Sequence, residues 1–334
     1  MSDDVLAAPD KFRGSLDAIG AAQAIAAGAA AAGWGCVRLP LADGGEGTLD
    51  VFGGGNRTTP VSGPLGRTVE ADWRLDGEIA VVEMARASGL ALVGGAAGND
   101  PVAASTRGTG ELIAEAVRSG ATEIVVGVGG SATTDGGAGA LEALADLLPF
   151  PEHGLRVRVA CDVGVHFVDA ATVFGPQKGA MPDDVPVLVE RLHRLAGEYR
   201  AWFGVDVAAM ASAGAAGGLA GGLAAGGATL EPGFDLVAGM LGLDDAIAAA
   251  DLVITGEGRL DETSFAGKVV GSLAARCADA GIGVVAVVGD AAAGVDERGL
   301  PHVSLVGRFG LERALSETAG CISTVVEELL RSRG

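Results

Sequence analysis

The sequence predicts a two-domain α/β protein with one domain inserted in the other, and three observations support this. The chain opens with a strand, a helix and a second strand in the order of a parallel βαβ unit. Near residue 59 it changes to the polar–apolar alternation of a hairpin. Near residue 232 it returns to strands that alternate with helices. The first domain is therefore expected to comprise residues 1–58 and 232–334, and the inserted domain 59–231. A chain of 334 residues is long enough to bury two cores.

Composition narrows the function classes. Hydrophobic residues make up 49% of the chain, which excludes disorder. The 56 glycines are more than twice the usual share of about 7%, but they sit in punctuated loops and follow no repeat. A net charge of −20 opposes binding to nucleic acid or to an anionic membrane surface. The basic residues are nearly all arginine. The lysines are Lys11, Lys178 and Lys268, each beside a glycine-rich or turn-rich stretch. Cys36, Cys161, Cys277 and Cys321 form no CxxC pair and read as reduced thiols of a cytoplasmic protein. The histidines lack zinc-ligand spacing, and the acidic N-terminus shows no signal-peptide pattern. The uncharged run 207–230 is mostly alanine and glycine, too weakly apolar for a membrane helix. Nothing here opposes a homodimer.

Each element has a local reason. Val5-Leu6-Ala7-Ala8 is a short apolar strand followed by Pro9-Asp10-Lys11-Phe12-Arg13-Gly14-Ser15. Ser15 is expected to cap an alanine-rich helix from Leu16 to Ala32, which Gly33 ends before a strand at Cys36-Val37-Arg38-Leu39. Ligands of open α/β sheets bind outside the carboxyl ends of strands. Asp10, Lys11 and Arg13 after the first strand, with Asp43 and Glu46 after the second, are thus expected to line one crevice. Asp43-Gly44-Gly45-Glu46-Gly47-Thr48 places two carboxylates around glycines. That pattern suits Mg²⁺ or hydroxyl recognition, and also an acidic helix start. Residues 58–83 alternate around Gly63-Pro64-Leu65-Gly66 and predict a hairpin or meander.

Thr106 caps a helix through Val117, and Thr122-Glu123-Ile124-Val125-Val126 is a buried strand. The run from Gly127 to Gly139 follows, leading into a helix at Ala140-Leu141-Glu142-Ala143-Leu144. Strand, glycine-rich turn and helix start together make an anion site, with Gly129 and Gly130 supplying N–H groups and Ser131, Thr133 and Thr134 supplying hydroxyls. Asp135 can cap the helix or hold a metal, and a tight turn with only a packing role fits the same residues. A strand at 157–161 ends at Asp162. Ala171 to Phe174 leads into Gly175-Pro176-Gln177-Lys178-Gly179-Ala180, where Lys178 is expected on an exposed turn. Asp183 to Phe203 is amphipathic, and the alanine–glycine stretch 212–227 allows close packing. Further on, Asp251 to Thr255 is a strand followed by Gly256-Glu257-Gly258-Arg259-Leu260-Asp261. Gly267-Lys268 opens a helix to Ala280. Strands at 283–288 and 302–306 and a helix at 311–330 close the chain.

Several motif readings fail. Gly267-Lys268-Val269 lacks the Walker A glycine and hydroxyl, no GxSxG elbow or protein-kinase signature is present, and the first βα turn lacks GxGxxG. Six stretches, taken in order, do match a pattern. They are 8–16, 42–48, 129–139, Ala160-Cys161-Asp162-Val163, 173–180 and 251–261, and the chain that carries them resembles the bacterial type I glycerate kinase family. The resemblance implies a Rossmann-like parallel-sheet domain with an inserted mixed α/β domain. It also implies ATP and Mg²⁺ as cofactors and D-glycerate as the substrate, phosphorylated at the 2-hydroxyl. Under it, Asp162, Asp135, Lys178, Lys11 and Arg13 are the catalytic candidates. Asp10, Asp43, Gly44, Gly45, Glu46, Thr48, Gly129, Gly130, Ser131, Thr133, Thr134, Gln177, Arg259 and Lys268 are the substrate and nucleotide candidates, and Glu257 and Asp261 the metal candidates.

The chemistry is coherent in its own terms. Phosphoryl transfer needs cations on the moving phosphate, carboxylates for Mg²⁺ and an acceptor for the hydroxyl proton. The three lysines with Arg13 or Arg259 can serve the first need, Asp43, Glu46, Glu257 and Asp261 the second, and Asp135 or Asp162 the third. The sequence departs from the family pattern in three places. Lys11 and Arg13 stand where a Ser and a Phe-Lys pair are usual. The segment before Asp162 is shortened to about Leu147–Arg156. Gly164-Val165-His166-Phe167-Val168-Asp169 replaces an Asn-Pro-Leu loop. A kinase for another short hydroxy acid, or a non-catalytic small-acid-binding homologue, are the alternatives these departures leave.

Overall fold

The computed structural model describes residues 4–333. Its strands in chain order are β1 (Asp4–Ala7), β2 (Gly35–Arg38), β3 (Arg57–Ser62), β4 (Thr68–Asp76), β5 (Ile79–Glu83), β6 (Glu123–Gly127), β7 (Arg156–Cys161), β8 (Thr229–Pro232), β9 (Leu252–Leu260), β10 (Gly283–Ala291) and β11 (His302–Ser304). They form two sheets in two compact units. One unit contains the residues up to Asp43 and those from Phe234 onward, and the other runs from Gly44 to Gly233.

In the first unit the strand order is β11-β10-β9-β1-β2, and every pair is parallel. Parallel sheets need cover on both faces, and period-two alternation supplies apolar residues to both. Val5 and Ala7 join Leu252, Ile254, Val285 and Val287 on one face, beneath Ile25 of the helix Ala18–Ala31 and Ile322, Val325 and Val326 of the helix Thr318–Arg331. Leu6, Ala8 and Val253 pack on the other face with Phe234, Leu243, Ile247 and Leu273. Burying a side chain of this size contributes about 1.5–3 kcal/mol. The two helices on the first face approach closely at Gly28, where a Cβ would lie 2.4 Å from the carbonyl oxygen of Ser323.

Two local expectations are corrected here. The first helix is capped by Asp17, whose Oδ1 accepts from the Gly20 N–H at 2.6 Å. Ser15 does not cap it, because Phe12 and Leu16 exchange backbone hydrogen bonds around Gly14 and keep Leu16 out of the helix. The strand expected at 251–255 does not stop at Thr255 but continues through Gly256-Glu257-Gly258 within β9, paired with β10 as far as Leu260. The glycines permit this, since a Cβ on Gly256 would meet the Val287 carbonyl oxygen at 2.1 Å and the Phe12 ring at 3.1 Å. The last two elements also differ: the strand near 302 stops at Ser304, and the closing helix is split into Leu311–Ser316 and Thr318–Arg331.

In the second unit the order is β3-β4-β5-β6-β7-β8. The first two pairings are antiparallel, giving the expected meander, and the remaining three are parallel. Val82, Val126 and Val159 share a core with Leu112 and Ile113 of the helix Arg107–Arg118 and with Trp73, whose indole N–H donates to Thr59 Oγ1 at 2.9 Å. Residues 44–58 lie with this unit, so the division falls at 43/44 and not at 58/59. The Gly44 carbonyl accepts from the Val128 N–H at 3.1 Å, and the Gly47 N–H donates to Glu83 at 2.7 Å. The second division falls at 233/234, two residues beyond the expected 231/232. No helix among the described residues is long and apolar enough to cross a membrane.

Candidate active site

In the second unit the parallel strand β6 ends at Gly127 and delivers the glycine-rich loop. Much of the glycine in this loop serves packing. A Cβ on Gly129 would sit 2.6 Å from Gly45 Cα, and one on Gly44 2.6 Å from Ala160 Cβ, so two glycine loops press backbone against backbone. The alanine–glycine stretch packs against the loop's far side, where a Cβ on Gly217 would lie 2.0 Å from the Thr133 carbonyl oxygen. Only Gly130 is exposed and Gly129 half-buried. Ser131, Thr133, Thr134 and Asp135 are buried. The Thr133 hydroxyl donates to the Ala216 carbonyl at 3.4 Å, the Thr48 hydroxyl to the Gly45 carbonyl at 2.7 Å, and Thr134 Oγ1 is buried without a partner.

Asp135 organises the turn. Its Oδ2 accepts from the Thr106 N–H at 2.8 Å, the Thr106 hydroxyl at 2.9 Å and the Gly139 N–H at 3.3 Å, while Oδ1 accepts from the Gly137 N–H at 3.2 Å. The carboxylate ties two helix starts together and is fully occupied in doing so. Thr106, by contrast, makes no side-chain cap to its own helix. Asp162 differs: it is exposed, immediately beyond the carboxyl end of β7.

Lys178 corrects the expectation of an exposed turn, being only 3% exposed. Its ammonium donates to the Thr133 carbonyl at 2.7 Å and lies 5.9 Å from the centre of the Phe174 ring. Burial pulls its pKa down to about 7, with the charge of Asp135 opposing the shift. An ammonium carries three donors, so this one retains capacity for an anion. Asn99 stitches the same region together, donating to the carbonyls of Ala132 and Lys178, each at 2.9 Å. Tyr199 also supports the loop, its hydroxyl donating to the Gly136 carbonyl at 3.0 Å. Sequence reasoning singled out neither Asn99 nor Tyr199. Asn99 sits in Gly98-Asn99-Asp100-Pro101, which reads as an ordinary turn, and Tyr199 reads as the core face of an amphipathic helix, although it is the chain's one tyrosine. Glu83, the buried acceptor for Gly47, was missed for the same reason. Gln177 and Glu46 are exposed.

The first unit holds a second group at the carboxyl ends of β1 and β9. Asp10 accepts from the Lys11 N–H at 2.7 Å, and its carboxyl is raised to about 6, chiefly by burial and further by Asp43, with Lys11 and Lys268 opposing. Glu257 is raised to about 7, first by burial, with Asp10 and Asp261 adding to the rise and Ser264 and Lys268 opposing it. Its Oε1 is buried with no hydrogen-bond partner. Asp261 is committed elsewhere: it caps the short turn Glu262–Phe265, accepting from the Thr263 N–H at 2.8 Å and hydroxyl at 2.6 Å, which hold its carboxyl below the usual range. Lys268 donates to the Thr263 hydroxyl at 3.1 Å, while Arg13 and Arg259 are exposed. Thus Asp10, Lys11, Asp43, Glu257, Asp261 and Lys268 come together in this unit, and Thr133, Thr134, Asp135 and Lys178 in the other.

Parallel α/β sheets with carboxylates and lysines at strand ends in one unit, and a buried lysine against a glycine-rich loop in the other, are the groups an α/β phosphotransferase needs. Comparison with known proteins makes this specific. The pattern of the glycerate kinase family matches residues 5–148 and 146–332. Glycerate 2-kinase of Escherichia coli strain K12 is 39% identical over 342 residues, covering 90% of this chain and 89% of that protein. A glycerate kinase of Halalkalibacterium halodurans is 38% identical, covering 94% and 93%. A crystal structure assigned as glycerate kinase 2 of Salmonella typhimurium LT2 superposes with a TM-score of 0.83 at 32% identity, covering 100% of this chain and 98% of that one. The chain belongs to the glycerate kinase family.

Proposed function

We propose that the protein transfers the γ-phosphoryl group of ATP to D-glycerate at the 2-hydroxyl, giving 2-phosphoglycerate, with Mg²⁺ as the cofactor. The observation that carries this reading is Lys178, a buried ammonium packed against the glycine-rich loop with one backbone carbonyl as acceptor, in a chain of this family. Such a group has little structural reason to be a lysine, and a compact cation in a dry setting stabilises developing phosphoryl charge strongly. Asp162 takes the hydroxyl proton in this reading. It is exposed at the carboxyl end of a strand, and Asp135 is buried with its oxygens positioning the loop. Lys11, Arg13, Arg259 and Lys268 serve the nucleotide phosphates, and Gln177 and Glu46 the substrate side.

For the metal, the donor set fits in part. Mg²⁺ takes one or two carboxylates together with phosphate oxygens, and Glu257 Oε1 is a buried carboxylate oxygen without a partner beside the charge of Asp10. Glu257 and Asp10 would hold the ion, while Asp261 is occupied in its cap. When bound, Mg²⁺ neutralises phosphate charge. No group of three or more ligating side chains is found among the described residues. The enzyme acts in the cytoplasm on this reading, free of nucleic acid and membrane, with the middle unit an inserted domain.

A second reading rests on the replaced loop at residues 164–169, next to Asp162. There Gly164 and His166 are exposed, which favours a different short hydroxy acid. Purified protein with ATP, Mg²⁺ and D-glycerate is expected to release ADP, with ³¹P NMR identifying the phosphorylated hydroxyl. Turnover only with another hydroxy acid would select the second reading, and no turnover with any would overturn both.

A further inference from the structure

The segment Leu90–Gly98 consists of two short 3₁₀ turns and is largely exposed, and Asn99 follows directly. Its backbone lies against the lysine turn: a Cβ on Gly179, at φ +93°, would meet the Ala96 carbonyl oxygen at 2.3 Å. The Asn99 amide donates from one nitrogen to two carbonyls, that of Ala132 in the glycine-rich loop and that of Lys178 itself. The Lys178 ammonium reaches the next carbonyl along the loop, Thr133. The lysine turn is therefore tied to the loop twice, once through its backbone by Asn99 and once through its own side chain.

We propose that Asn99 is a positioning residue for Lys178, fixing the lysine turn against the glycine-rich loop so that the ammonium stays dry and aimed. This rests on the reading of Lys178 as the cation that acts on the transferred group. A strap side chain that only closed a loop would need one such bond, whereas Asn99 uses both amide hydrogens to join two elements 46 residues apart in sequence, Ala132 and Lys178. Its loss leaves two carbonyls without their donor, loosens the turn and lets water reach the ammonium.

The expected signature is a change in pH dependence. Free Lys178 loses its proton as pH rises through about 7, so kcat/KM falls on the alkaline side; Asp135 is the charged group that bears on it. Hydration returns the lysine toward its ordinary value, so in the Asn99→Ala and the near-isosteric, uncharged Asn99→Leu variants the alkaline limb moves up by about one pH unit or more. The misplaced ammonium lowers kcat by roughly 10-fold or more, with KM for ATP unchanged. Lys178→Met, assayed alongside, is expected to lower kcat by roughly 100-fold or more. Wild-type kcat and limb in either Asn99 variant, or a rate loss without a shift of the limb, would overturn the proposal. If Lys178→Met keeps its turnover of glycerate, the role of Lys178 and this inference fall together while the glycerate kinase reading stands. Thermal melts confirm that the variants fold, and if Asn99→Ala does not, Asn99→Leu decides.

Discussion

Asp135 and Glu257 are both largely removed from water, and they are treated in opposite ways. Asp135 receives four hydrogen bonds from Thr106, Gly137 and Gly139, so the fold itself supplies the donors its carboxylate needs. Glu257 keeps one buried oxygen with no partner and holds its proton up to about 7. A buried carboxylate that is satisfied builds structure, while one left unsatisfied is maintained against its own desolvation and, on the proposed reading, is kept for the metal.

The largest expected effect follows from the satisfied side. Asp135→Ala strands buried donors, each costing about 1–3 kcal/mol, so urea unfolding should show a loss of about 3 kcal/mol or more. A variant of near-native stability with its rate abolished would return Asp135 to the role of proton acceptor. Next is Asp162→Asn, expected to lower kcat by roughly 10²–10⁴-fold while the melting temperature stays put, because the residue is exposed. Unchanged turnover would remove Asp162 from the chemistry.

Glu257→Gln sharpens the other half. The folded carboxyl binds its proton more tightly than the unfolded one, so stability falls as pH rises from the ordinary value of 4.5 to about 7. Melts across that window should slope downward in the wild type and flatten in the variant, with a difference at pH 8 of no more than about 3 kcal/mol. Parallel slopes would show that Glu257 carries no such penalty. Smallest is Asp261→Ala, which should cost no more than about 1 kcal/mol through its cap and change Mg²⁺ dependence little. A strongly raised Mg²⁺ requirement would restore Asp261 as a ligand.

What was legible in the sequence was whatever depends on near neighbours. Val5 to Ala8 and Asp251 to Thr255 announce buried strands by their apolar runs, and the alternation after Thr58 announces the meander. The continuation of β9 through Gly256 and Gly258 was not legible, because glycine marks a turn and a close strand approach alike, and the choice depends on Phe12 and Val287. The burial of Lys178 was hidden for a related reason. A Gly-Pro-Gln-Lys-Gly stretch is an exposed turn by every local rule, and its partners, Asn99 and Thr133, lie 79 and 45 residues earlier. The division at Asp43 escaped notice because Gly44 and Gly47 take their partners, Val128 and Glu83, from strands far along the chain.

With its pKa near 7, Lys178 is divided between protonated and neutral forms in neutral buffer. An anion that docks against it favours the charged form and draws a fraction of a proton from solution. The heat of binding must then vary with the buffer that surrenders that proton. Titrations of D-glycerate or ATP in phosphate and in Tris should give different apparent enthalpies, and Lys178→Met should bring the two together.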